Sequence, residues 1–306
     1  MIGIVGPTGV GKTEFALRLA SEIDSEIINC DSRQIYQGMD IGTAKPTAVM
    51  VKSTPHHLFD VCSPEETYDL HKYQVSAKKV IEQVRQRCKI PILVGGSGQY
   101  FWSLAENWEL SEVKPDRKLR KKLELEVSDK KKLLALTEEL RTKAPGIYNN
   151  IDISNKRRVI RGVEKMRAGD MSHRTRSSEG KINQCLIIGL TADREFLYNQ
   201  VDRRADLMIN NGWVSETKKL LSQVSSNNKV ALSTIGYKEI KFFLEKGISW
   251  ESCISRIKSR THSLIRTQYN WFKLCDTRIK WHDIKSLNEE SIFNDIRFDL
   301  DKLKRY

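Results

Sequence analysis

The stretch Gly6-Pro7-Thr8-Gly9-Val10-Gly11-Lys12-Thr13 restricts this chain more than any other part of it. It fills every fixed position of G-x-x-x-x-G-K-[ST], a loop whose glycines let backbone N–H groups converge on phosphate oxygens at a helix N-terminus. In that pattern Lys12 neutralises charge and the Thr13 hydroxyl can hold a Mg²⁺. The loop needs a strand before it and a helix after it, and the flanks read that way. Ile2 to Val5 is a short apolar run, and Phe15, Ala16, Leu19, Ala20 and Ile23 recur at helical spacing from about Lys12. A phosphate-bearing ligand follows, of a kind the motif alone does not specify.

Glu26-Ile27-Ile28-Asn29-Cys30 and Ile90-Pro91-Ile92-Leu93-Val94 read as further strands, with a long helical pattern from Thr67 to Arg87 between them. Strand and helix alternate, so the expected fold class is α/β, a parallel sheet covered by helices. Proteins with such loops commonly place a carboxylate at the end of an apolar strand. Asp31 has that position, whereas Ile92-Leu93-Val94 runs into Gly95-Gly96-Ser97-Gly98 with no acid. Asp31 is the candidate acid at the sheet edge where ligands collect, or else a carboxylate that caps a turn.

With 306 residues, 39% of them hydrophobic, the chain can build a sizeable core. Its 52 Lys and Arg against 39 Asp and Glu give a formal charge of +13, which points to a polyanionic partner. That excess is not spread evenly. Residues 1–100 hold 11 basic and 11 acidic side chains, while residues 112–182 hold 20 and 11, in amphipathic runs such as Arg117-Lys118-Leu119-Arg120-Lys121-Lys122. We expect an inserted all-helical basic domain over 112–182, flanked by a core made of 1–111 and 183–306. A basic face of this kind suits a phosphate backbone, though lysine-rich helices also serve as plain solvated surface.

All seven prolines precede residue 146, so the later chain should be mainly helical. Helices are expected over about 194–210, 214–221, 238–245 and 250–274, with a strand at Cys185–Leu190 and a mobile polar loop at Ser172–Gly180. No apolar run approaches the ~18 residues of a membrane span, and no secretory start precedes the loop, so a soluble cytosolic protein without a membrane partner is expected. The six cysteines form no C-x-x-C pair and read as reduced packing residues. His56 and His57 lack metal-ligand partners at useful spacing and read as structural. Tyr269, Trp271 and Phe272 could stack on bases, or form core.

The segment from Asp31 to Pro46, Asp-Ser-Arg-Gln-Ile-Tyr-Gln-Gly-Met-Asp-Ile-Gly-Thr-Ala-Lys-Pro, resembles the signature of tRNA dimethylallyltransferases. Pro55-His56-His57-Leu58, Pro91 to Gly98, Arg157-Arg158-Val159-Ile160-Arg161, Ile235-Gly236-Tyr237-Lys238-Glu239 and Trp271-Phe272 continue the likeness in order along the chain. The resemblance implies transfer of a dimethylallyl group from dimethylallyl diphosphate to the exocyclic amine of adenosine 37 in tRNA, by a monomer that uses Mg²⁺. Residues Gly6 to Thr13 would then hold a diphosphate, together with Arg204, and Asp31 would be the general base. The resemblance further implies that Ser97 replaces a threonine contacting the reacting groups. It carries Asp31-Ser32-Arg33-Gln34, Ser97, and Arg157 to Arg161 over as tRNA contacts, with Arg120 beside them. The chain departs from the family pattern at Ser97, Gln99, Gly162-Val163 and Thr267. Two rivals use the same residues: a small-molecule kinase with ATP in the loop, and an RNA-binding protein without catalysis.

Overall fold

The computed structural model describes residues 1–111, 113, 116–171, 185–224 and 229–304. The Ser172–Gly180 expectation therefore lies outside the described residues. The chain divides into two compact units, one formed by residues 1–105 together with the chain from 182 onward, the other by Glu106–Lys181. The helical unit was expected from 112. It begins at Glu106, ahead of the first charged run that marked the boundary in sequence.

In the first unit, strand β1 (Ile2–Val5) leads through the glycine-rich loop into helix α1 (Lys12–Glu22). Then come β2 (Ser25–Asn29), α2 (Ala48–Ser53), β3 (His56–His57), α3 (Leu70–Gln86), β4 (Ile90–Val94) and α4 (Gly98–Ala105). The second unit consists of α5 (Arg117–Glu126), α6 (Lys130–Lys143), α7 (Pro145–Asn149) and α8 (Lys156–Arg167). The chain returns to the first unit with β5 (Leu186–Thr191), α9 (Arg194–Asn210), α10 (Trp213–Gln223), α11 (Lys229–Leu232), α12 (Tyr237–Leu244), α13 (Trp250–Trp271), β6 (Ile279–Asp283) and α14 (Glu289–Lys304).

The six strands form one wholly parallel sheet in the order β3-β2-β4-β1-β5-β6. Central strands β1, β4 and β5 read as unbroken apolar runs because helices cover both faces. Ile2, Ile4, Ile92, Ile188 and Leu190 are buried in one cluster with Phe15 and Leu19 of α1, and Ile292, Phe293 and Ile296 of α14 join it. A second cluster around Trp213, Tyr237 and Ile257 ties α10, α12 and α13 to the folded segment after Asp31. In the helical unit, Leu123, Leu136, Leu140, Val159 and Val163 make a separate core. No helix among the described residues is long and apolar enough to cross a membrane.

His57 and Glu26 lie at the sheet edge. The ring Nε2 of His57 is 2.6 Å from Glu26 Oε2, and Arg87 grips the same carboxylate with two donors. Burial alone would raise the Glu26 carboxyl, but the hydrogen bond from Arg87 dominates and holds it below the usual carboxylate range. His57 thus has the structural place expected of it.

Candidate active site

The glycine-rich loop turns over the carboxyl ends of β1 and β5. Gly6 has φ +141°, and a Cβ there would lie 2.3 Å from the Leu190 carbonyl oxygen, so only glycine admits the turn. Val10 is buried in the core below the loop and anchors it. Lys12 Nζ donates to the carbonyls of Gly6 (3.0 Å) and Pro7 (2.7 Å), which leaves one of its three donors for a ligand. Burial lowers the Lys12 pKa to about 8 against the attraction of Asp31, with Arg204 adding to the depression.

Two side chains from distant helices fix Thr8. Arg204 of α9 donates to its hydroxyl at 2.6 Å, and its backbone N–H donates to Oε1 of Gln268 on α13 at 2.8 Å. Arg204 is half-buried, and burial lowers its pKa below the guanidinium norm against the pull of Glu14 and Asp31. Its neighbour Arg203 faces solvent, so of the two arginines only Arg204 belongs to the loop. Gln268 was missed in the sequence; a glutamine on a helical pattern carries no signal of a partner 260 residues away.

Asp31 follows β2 and caps the turn there, at the sheet edge expected of it. Its Oδ1 accepts the Arg33 N–H at 2.8 Å, closing a tight turn. Its Oδ2 has no hydrogen-bond donor among the described residues. Ser97 Oγ accepts the Ser32 N–H at 3.0 Å and lies 3.2 Å from Ser32 Oγ, so the turn after β4 and the turn after β2 are joined. Gln34 Nε2 donates to the carbonyls of Thr43 and Ala44, and Arg33 donates to the Val230 carbonyl. Gln34 thus folds the loop from 31 to 46 on itself.

Two cavities meet here. One, of about 250 Å³, is lined by Gly9, Gly11, Lys12, Thr13, Lys45 and His56 among others. The other, of about 270 Å³, is lined by Ser32, Arg33, Ser97, Met208, Leu264 and Gln268 among others. Both include Thr8, Asp31, Thr43, Gly96 and Arg204. The first holds the loop and its cations and suits a polyanion. The second adds apolar helix faces such as Met208 and Leu264 to polar turns that carry Asp31, Arg33 and Arg204, and suits an organic group with polar edges. Burial lowers the His56 pKa despite the bond to the Thr54 carbonyl.

The oxygen donors fit Mg²⁺, which takes few protein ligands and keeps its waters. Thr13 and Asp31 line the same cavity, and no cluster of three or more His, Cys, Asp or Glu able to hold a metal occurs among the described residues. Tyr269 bonds Thr191 at 2.7 Å, Phe272 is fully buried, and Trp271 packs on Gly98, so of their two readings the core one applies.

In the helical unit the structure corrects part of the expected RNA contact set. Val159 and Ile160 are 0% and 6% exposed and belong to the core, because their face of α8 points inward. Arg120 and Arg161 both bind the carboxylate of Glu164, which is 2% exposed and also accepts the Asp116 N–H. Burial would raise the Glu164 carboxyl, but the hydrogen bonds from Arg120 and Arg161 together outweigh it and hold the pKa below the usual range. Arg157 and Arg158 are exposed at the N-terminal end of α8.

The model of the family described as IPP transferase matches residues 34–274. The chain belongs to that family. It is 39% identical to a tRNA dimethylallyltransferase of Herpetosiphon aurantiacus over 91% of this chain and 89% of the relative. It is 35% identical to one of Thermomicrobium roseum, covering 97% and 94%. Among solved structures it resembles the tRNA isopentenylpyrophosphate transferase of Bacillus halodurans, with a TM-score of 0.73 and 32% identity over 100% and 99% of the two chains. A eukaryotic dimethylallyltransferase acting on tRNA gives a TM-score of 0.76 and 28% identity over 92% and 73%. The family's fold is the parallel-sheet core with helices found here.

The Lys12 value sets a pH test. Below about 8 its ammonium carries charge and a free donor; above, it loses both. Affinity for inorganic diphosphate should fall about tenfold between pH 7 and pH 9, although the ligand itself only gains negative charge. Calorimetry at both values checks this, and Lys12→Met should bind weakly with no such slope.

Proposed function

We propose that the protein transfers the dimethylallyl group of dimethylallyl diphosphate to the N6 amine of adenosine 37 in tRNA, with release of diphosphate. The observation that carries this reading is Asp31 at the junction of the cavity that holds the glycine-rich loop and a second one lined by polar turns and apolar helix faces. In this assignment the loop from Gly6 to Thr13, with Lys12 and Arg204, takes the diphosphate, and the adenine enters from the cavity bounded by Ser32, Ser97 and Leu264. The new bond joins C1 of the allyl group to N6, and the bond from C1 to the diphosphate oxygen breaks. Asp31 accepts the N6 proton through Oδ2, which raises the reactivity of a weak amine nucleophile. Lys12, Arg204 and the loop N–H groups stabilise the charge that develops on the leaving diphosphate. A Mg²⁺ held through Thr13 would add further neutralisation of that charge.

A base stacked in an anticodon loop must leave the stack to reach such a site, so extrusion of the adenosine is part of the proposal. Exposed Arg157 and Arg158 then grip the RNA backbone. The test is direct. Purified protein, Mg²⁺, dimethylallyl diphosphate and a tRNA bearing adenosine 37 should give prenylated tRNA and diphosphate by mass spectrometry. No product, with a known enzyme turning over in parallel, would sink the reading. Thermal protection by ATP but not by dimethylallyl diphosphate would favour the kinase instead.

A further inference from the structure

We infer that Gln268 is a positioning residue for the reaction, a brace that sets the glycine-rich loop and the turn after β4 in register with each other. The inference rests on the proposed diphosphate reading of the loop.

Gln268 lies on α13, is 6% exposed, and uses both ends of its amide. Its Oε1 accepts the Thr8 N–H at 2.8 Å, and its Nε2 donates to the Gly96 carbonyl at 3.3 Å. A buried amide with both ends bonded has one orientation, so the two loops it joins are held at a fixed separation. The approach is close. A Cβ on Gly96 would lie 2.0 Å from Gln268 Nε2, so a side chain at Gly96 would displace the amide.

Each loop it touches holds a residue assigned to the chemistry. On one side, Thr8 also receives Arg204, so the loop is clamped through its backbone by Gln268 and through its hydroxyl by the arginine. On the other side, Gly96 precedes Ser97, whose hydroxyl fixes the turn that carries Asp31. Gln268 also lines the second cavity, as do Thr261 and Leu264 of the same helix. A displacement of α13 on filling that cavity would therefore be felt by the Thr8 amide. Gln268 touches no reacting atom in this scheme; it acts through Thr8 and Gly96.

Gln268→Leu and Gln268→Met keep the volume of the side chain and remove both bonds. Each full-length variant is measured for affinity for inorganic diphosphate by calorimetry, tRNA affinity without the diphosphate substrate, steady-state prenylation, melting temperature and hydrogen exchange. The inference expects diphosphate Kd and the KM for dimethylallyl diphosphate to rise tenfold or more, tRNA Kd to stay within twofold, and the melting temperature to stay within a few degrees. Faster hydrogen exchange in the peptide containing Thr8 should accompany the change. Diphosphate affinity equal to wild type overturns the inference. So does a melting temperature lowered by more than about ten degrees in both variants, or a parallel loss of diphosphate and tRNA binding, because Gln268 would then be general support. Wild-type protein that binds no diphosphate would overturn the proposed function instead, a separate result.

Discussion

Asp31→Asn should lower kcat for tRNA prenylation by roughly 10²–10⁴, the span that general base catalysis supplies, while tRNA affinity stays within about twofold. Asparagine is the informative substitution because the proposal gives the two oxygens of Asp31 different tasks. Oδ1 closes the turn by accepting the Arg33 N–H, and the asparagine carbonyl keeps that bond. Only Oδ2, the proposed proton acceptor, is lost, replaced by an amide that cannot take a proton near neutral pH. Asp31→Ala removes the turn bond as well and should cost more in stability. Single-turnover kinetics with saturating tRNA and a separate binding titration check the split. Equal losses in turnover and in tRNA affinity for the asparagine variant would mean that Asp31 mainly shapes the loop.

The second large effect separates arginines that sequence alone groups together. Arg120→Ala combined with Arg161→Ala leaves the buried Glu164 carboxylate without a cation and should destabilise the helical unit by ~3–5 kcal/mol. Acid should weaken the wild-type unit in the same way. A carboxyl with its pKa held down contributes stability above its unfolded value of about 4.3, and that contribution is lost as pH falls through the folded value. Arg157→Ala with Arg158→Ala should leave the thermal transition in place. It should instead weaken tRNA binding and reduce the slope of log K against log salt by ~1–2. Chemical denaturation and salt-dependent titrations of the two double variants check both halves. An unchanged salt slope would remove Arg157 and Arg158 from the RNA surface.

Much of this was legible in the chain before any fold was known. Strands β1, β4 and β5 read as unbroken apolar runs because a parallel sheet buries both faces of its central members. Edge strands gave no such signal. β3 has only two residues, and β6 carries Lys280, His282 and Asp283 among its five. Helix α4 begins with glycine and buries every residue but Gln99, so it shows no polar stripe to mark it. Asp31 was visible as an acid at a strand end. Gln268 and Glu164 were not, since a polar side chain on a helix looks the same in sequence whether it faces water or a partner far along the chain.

The order of the strands bears on how the protein is made. β1 lies at the centre of the sheet, but one of its two neighbours, β5, is not synthesised until residue 186. The wall against Gly6 comes from Leu190, and the two side chains that grip Thr8 come from positions 204 and 268. A nascent chain therefore holds its glycine-rich loop unsupported for most of translation, and its long-range pairings close late. Chains released before residue 268 will lack the clamp on that loop, so a stalled or truncated product should neither capture diphosphate nor compete with the finished enzyme for it.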